Sequence, residues 1–156
     1  PLETFVRAYP SLRVVVDHGA KPEIRNQGFE PWAGDIAAVA KHPNVWCKIS
    51  GLLTEASADQ TADDLAPYVQ HIITVFEPER CLWGSDWPVL TLAGEYGSWL
   101  QTLQRRTEGL SEDQRHGVMG KNALAAYPRL AYGLDQFTAG KPGPEQGRKR
   151  WLVKAR

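Results

Sequence analysis

Asp86 stands at the end of Leu82-Trp83-Gly84-Ser85-Asp86, followed by Trp87-Pro88, just past a short apolar run that reads as a strand. A carboxylate crowded by aromatics and a proline is costly to bury without a partner. That partner is a cation, a metal, or a proton to be moved. A second run, Val14-Val15-Val16, ends in Asp17-His18-Gly19. A third, Val45-Trp46-Cys47-Lys48-Ile49, carries Lys48 and ends in Ser50-Gly51. A carboxylate, an imidazole, an ammonium and a hydroxyl at three strand ends can shift protons or polarise a carbonyl.

The runs begin at positions 14, 45 and 81, intervals that hold a strand plus a crossover helix. The text between them is helical. Trp32, Ile36, Val39 and Ala40 recur at helical spacing before Lys41-His42-Pro43 stops the pattern. Leu65, Tyr68, Val69, Ile72, Ile73 and Phe76 form a broader stripe, with Thr61 and Asp64 as its expected entry box. Later, Tyr96, Trp99, Leu100 and Leu103 share one face, Ser111 with Gln114 makes a second capping box expected to close at Gly120, and Lys121–Tyr127 forms a last short helix. Alternating strands and helices predict an α/β fold with a parallel, helix-covered sheet. Chemistry at the carboxyl ends of strands fits a (β/α)8 barrel; an open doubly wound sheet fits the periodicity equally well.

With 156 residues the chain can bury one ordinary core but falls short of a full (β/α)8 barrel, which takes on the order of 200 residues or more. Its 18 basic and 18 acidic residues cancel, so no global field recruits nucleic acid or an anionic membrane. Cys47 and Cys81 read as reduced core thiols, placing the protein in the cytoplasm. There is neither an apolar stretch of ~18 residues nor a charged-then-apolar leader. A helix-like stretch, Leu2–Tyr9, starts almost at once after Pro1, the expected look of a piece whose upstream part is missing. Residues 1–130 are expected to form the folded unit. Residues 131–156, with Gly140-Lys141-Pro142-Gly143-Pro144 and the cluster Arg148-Lys149-Arg150, are expected to form a flexible, solvated basic tail.

Three segments taken together resemble the amidohydrolase-related family of metal-dependent hydrolases, in its lactonase-like branch of L-fuconolactonases, L-rhamnonolactonases and 2-pyrone-4,6-dicarboxylate lactonases. Asp17-His18-Gly19-Ala20-Lys21-Pro22 resembles that branch's strand ending in Asp-His followed by Gly-Lys-Pro. Asn44–Gly51, preceded by His42-Pro43, resembles its Lys-x-Ser-Gly strand. Pro78–Val89 resembles its final-strand signature Arg-x-x-x-Gly-Ser-Asp-Trp-Pro. The likeness runs from about Leu2 to Leu130. It implies the C-terminal part of a (β/α)8 barrel, about three parallel strands with covering helices. The family's His-x-His pair does not occur here: His18, His42, His71 and His116 are all isolated, and the last three are expected to be structural or solvated.

The resemblance implies hydrolysis of a lactone, a small-molecule substrate. Asp86 would be the general base that takes a proton from water. His18 would polarise the carbonyl or ligate a divalent ion, zinc above all, with Asp86 as the other ligand. Since a catalytic zinc site takes three protein ligands, this pair is one short. Lys48 is a candidate for pairing with a substrate carboxylate, Trp87 for stacking on a sugar ring, and Ser50 and Ser85 for orienting neighbours. Trp83 and Trp87 are otherwise expected to pack the barrel mouth. Asp17 either holds the imidazole or caps the adjoining helix; strand alternation is expected to keep Asp17 and His18 out of one cavity. Two other readings stand beside this one. One is a non-catalytic half barrel that forms a homo-oligomer through its open sheet edge; the other is an unrelated doubly wound binding module.

Overall fold

The computed structural model describes residues 1–130; the expected basic tail, 131–156, lies outside them. Three short parallel strands form the centre: β1 (Val14–Val16), β2 (Val45–Ile49) and β3 (Cys81–Trp83), in spatial order β1-β2-β3. Helix α1 (Leu2–Ala8) precedes β1, α2 (Trp32–Ala40) lies between β1 and β2, and α3 (Ala66–Phe76) lies between β2 and β3. After β3 come α4 (Tyr96–Arg106), α5 (Glu112–His116) and α6 (Asn122–Ala126). The fold is thus the expected α/β arrangement of three parallel strands with helical cover.

The register sets which groups face where. Val14 pairs with Val45, Val15 with Trp46, and Val16 with Cys47; Cys47 pairs with Cys81, Lys48 with Leu82, and Ile49 with Trp83. Side chains alternate between the faces of a sheet, and β2 obeys: Val45, Cys47 and Ile49 are buried, whereas Trp46 and Lys48 are half-buried. The buried row meets Ile36 and Val39 of α2, Ile72 and Phe76 of α3, and Trp99 and Leu103 of α4 in one core. Burying such side chains contributes about 1.5–3 kcal/mol each. Lys48 therefore lies on the face opposite the core. In a closed barrel that face looks inward.

The far ends of the strands are tied by Arg80, whose Nη1 donates to the carbonyls of Ala40, His42 and Val45 at 2.9, 3.1 and 3.1 Å. It satisfies carbonyls at the end of α2 and the entry of β2. His42 sits here, 3.7 Å from Glu3, and His71 Nε2 meets the Ala33 carbonyl at 2.9 Å inside an aromatic cluster of Phe29, Trp32 and Tyr68.

Three local expectations need correction. Thr61 and Asp64 do bond, at 2.7 Å from the backbone N–H and 2.9 Å from the hydroxyl, but they close a turn, and the helix starts only at Ala66. The Ser111–Gln114 box is present in both directions. The helix behind it, however, ends at His116 and passes through a wide turn, Gly117–Lys121, straight into α6, so Gly120 caps nothing. Asn122 explains that path: its amide donates to the carbonyls of Pro78 and Cys81 at 2.7 and 2.9 Å, tying α6 to β3. On α4, Trp99 and Leu103 are buried as expected, but Tyr96 is exposed and packs edge-on against Trp83.

Candidate active site

At the carboxyl ends of the strands the chain turns sharply three times. After Val16 the residues Asp17–Ala20 form a tight turn in which His18 adopts φ 51° and ψ 38°. Asp86 has φ 61°. Non-glycine residues reach this left-handed region at a cost of about 1–2 kcal/mol each, and such backbone gathers at functional sites. Both turns are gripped from the helix layer by an indole. Trp32 Nε1 donates to the Gly19 carbonyl at 2.7 Å, beside His18, and Trp99 Nε1 donates to the Gly84 carbonyl at 2.9 Å, two residues before Asp86. Neither grip was foreseen from the sequence, where both tryptophans read only as core. The available signal was chemical: an indole N–H on an apolar helix face needs an acceptor.

The turns bring the expected residues together. His18 Nδ1 lies 3.7 Å from Asp86 Oδ1, with the Asp86 side chain only 10% exposed. His18 Nδ1 is also 2.9 Å from the hydroxyl of Ser50, which is fully buried. On the other side of the ring, Nε2 faces Asp17 Oδ2 at 3.4 Å, and Asp17 Oδ1 pairs with Lys48 Nζ at 2.8 Å. The expectation that Asp17 and His18 point apart is therefore overturned. Alternation ends with β1 at Val16, and the turn that follows folds both side chains into one cluster. Lys48 is occupied by Asp17. Trp87 is 69% exposed at the rim, so it is not packed as expected, and Trp83 is half-buried against Tyr96. Ser85 accepts from the Trp87 backbone N–H at 3.2 Å, orienting the turn and not the cluster.

Electrostatics follow from these contacts. Burial pushes the Asp17 carboxyl upward, but the hydrogen bond and charge of Lys48, with His18 adding to them, outweigh it and leave Asp17 below the usual carboxylate value. Burial likewise works to lower Lys48, and the bond to Asp17 together with Tyr127 overrides it, so the ammonium is raised. Burial drives the Cys81 thiol up to about 12 and lifts Cys47 as well, so both are inert thiols.

Two further hollows flank this cluster without including it. One, of about 610 Å3, runs along α1 and α2 past Lys21 and Trp32. The other, of about 930 Å3, lies among the loops of Arg25, Thr54, Ser57, Thr91 and Glu95. Neither His18 nor Asp86 lines either hollow.

The donor set can be tested against a metal. Among the described residues no three His, Cys, Asp or Glu side chains converge as a metal site. Asp17 and Asp86 approach opposite nitrogens of His18, so the two carboxylates and one ring nitrogen cannot share an ion. The described residues fall short of a metal centre by themselves.

A profile of the amidohydrolase family matches residues 1–129, and the chain belongs to that family. It is 43% identical over 130 residues to a protein from Burkholderia ambifaria named L-fucono-1,5-lactonase, covering 81% of this chain and 45% of that one. A protein of the same name from Burkholderia multivorans is 31% identical over 81% of this chain and 46% of its own length. Among solved structures, an amidohydrolase from Burkholderia multivorans with bound zinc superposes with a TM-score of 0.75 at 31% identity, over 81% of this chain and 48% of that one. The chain therefore spans about half the length of the relatives it matches. Its three strands and helices are part of an amidohydrolase (β/α)8 barrel, which removes the reading as an unrelated doubly wound module.

Proposed function

We propose that this chain carries the acid–base rim of a lactone hydrolase, within a folded unit spanning residues 1–130. The observation that carries the reading is the approach of His18 to Asp86 at 3.7 Å, at strand ends of a chain similar to L-fucono-1,5-lactonases. The substrate is a sugar lactone, with L-fucono-1,5-lactone as the first candidate.

Asp86 takes a proton from water as the water oxygen bonds to the lactone carbonyl carbon. An N–H of His18 meets the carbonyl oxygen and stabilises the negative charge that gathers there. The tetrahedral intermediate then breaks its ring C–O bond. The proton held by Asp86 passes to the departing ring oxygen, leaving an open-chain hydroxy acid and a regenerated carboxylate. Trp87, exposed at the rim, offers its face to the sugar ring, and Lys48 holds the Asp17 side of the cluster within reach of a substrate anion. A divalent ion such as zinc, which a relative of known structure holds, would need donors besides His18 and Asp86, and none of these steps runs through it.

The test is turnover of L-fucono-1,5-lactone by the full-length protein, followed by acid release, against Asp86→Asn. The variant should lose at least ~100-fold in kcat, the scale of general-base loss; equal turnover rejects the role. Association of like chains through the open sheet edge is a second reading, favoured by Leu2, Phe5, Tyr9 and Leu12, which expose apolar surface along α1 and just beyond it. Sedimentation of the full-length protein decides it, a monomer at micromolar concentration counting against it.

A further inference from the structure

We infer that Ser50 is a positioning residue that reserves Nε2 of His18, with the proton on it, as the atom that meets the substrate carbonyl. The inference rests on the lactonase reading of the same cluster and deepens it. A neutral imidazole carries one N–H. If that proton sat on Nδ1, the Nε2 lone pair would face the Asp17 carboxylate at 3.4 Å, two electron-rich groups in opposition. With the proton on Nε2, its positive end lies 3.4 Å from the Asp17 carboxylate and the Nδ1 lone pair accepts the Ser50 hydroxyl at 2.9 Å. Asp86 Oδ1 then faces the Nδ1 lone pair, but from 3.7 Å, farther than Asp17 stands from Nε2, so the contacts at 2.9 and 3.4 Å select the proton on Nε2. Asp17 stays ionised because Lys48 pairs with it at 2.8 Å.

Access selects the same nitrogen. Ser50 is fully buried and closes the Nδ1 side, while the Asp17 side chain beside Nε2 is 55% exposed. At 3.4 Å the bond to Asp17 is long for a hydrogen bond, so a carbonyl oxygen can take over that proton at small cost. Gly51 completes the seat. A Cβ there would stand 2.6 Å from Nδ1 and 2.8 Å from Cγ of His18, so only glycine admits the ring against the Ser50 hydroxyl. Gly84 does the same for Ser50, whose Cβ would lie 3.0 Å from an added methyl.

The experiment labels the histidines of the full-length protein with nitrogen-15 and reads long-range proton–nitrogen correlations at a pH where the ring is neutral. The wild-type His18 should show an acceptor-type Nδ1 and a protonated Nε2. Ser50→Ala should bring the two shifts together as the tautomers mix, with kcat reduced roughly 10–100-fold, the usual effect of losing a partner that orients a functional histidine, and KM little changed. Ser50→Cys, a weaker donor of similar shape, should fall between; it also serves if the alanine variant loses the native His42 and His71 signals. A wild-type ring protonated on Nδ1, or His18 shifts that ignore both substitutions, overturns the assignment. A protein that opens no lactone yet shows the tautomer response defeats the lactonase reading alone.

Discussion

Nδ1 of His18 lies 3.7 Å from Oδ1 of Asp86 although the two residues belong to turns separated by a whole strand of the sheet. The strand between them, β2, ends at Ile49, and the next residue, Ser50, inserts its hydroxyl against the same ring nitrogen. Three consecutive strand ends thus build one cluster.

Lys48→Met should weaken the protein in a defined pH window. Asp17 is lowered from its ordinary 3.8 in the fold, so its contribution is present above that value and lost as pH falls through the lowered one. Lys48 is raised from 10.5, so its contribution is present below that value and lost as pH climbs through the raised one. Wild type should therefore melt above Lys48→Met at pH 7, with the gap closing in acid below Asp17's folded value. Both groups are partly exposed and screened, so the difference stays within about 1 kcal/mol. Thermal melts at pH 7 and pH 2 check this, and a gap that widens in acid contradicts the pairing.

Gly51→Ala should hurt both stability and turnover. The residue has φ 63°, where alanine is strained by about 1–2 kcal/mol, and the new methyl displaces the His18 ring. Gly109→Ala, whose Cβ meets nothing within 4 Å, is the control and should change little. Urea titration with a lactone assay on both variants separates them; equal behaviour removes the steric argument.

Trp99→Phe should cost about 0.5–1.5 kcal/mol, since it removes the donor of the half-buried Gly84 carbonyl. The turn carrying Asp86 then loosens, so kcat falls along with stability. Trp32→Phe should act in the same sense on the turn carrying His18. Denaturation midpoints and turnover measured together test the pair; a stable variant with full activity shows that the indole N–H positions nothing.

Cys47 and Cys81 should resist iodoacetamide in the folded protein at pH 8 and react fully in urea. Both are buried, and a thiol pushed up to about 12, as Cys81 is, holds almost no thiolate at that pH. Mass measurement before and after unfolding reads the outcome, and rapid labelling of the native chain would contradict the buried placement.

Much of this was legible in the chain because it is encoded locally. The β-branched run at Val14, the alternating Val45–Ile49 and the stripe through Ile72 and Phe76 each report a period that a neighbouring layer must satisfy. Asp86 and His18 were visible because polar groups at the ends of apolar runs need a reason. What stayed hidden depends on distant partners. The folding back of Asp17 onto His18 comes from a left-handed run through His18, Gly19, Ala20 and Lys21, of which Gly19 alone is signalled by residue type. The indole grips of Trp32 and Trp99, the three carbonyls held by Arg80 and the tie from Asn122 to Cys81 join segments far apart along the chain.

The pairing of β2 sets a rule for how this protein can change. Lys48 and Ser50 share one side of the strand while Cys47 and Ile49 fill the other. Deleting or adding a single residue inside β2 would exchange the two sets, sending an ammonium among the core side chains and greasy groups to the rim. Lineages of this chain should therefore accept length changes in the segment from Leu53 to Gln60 far more readily than anywhere between Val45 and Gly51.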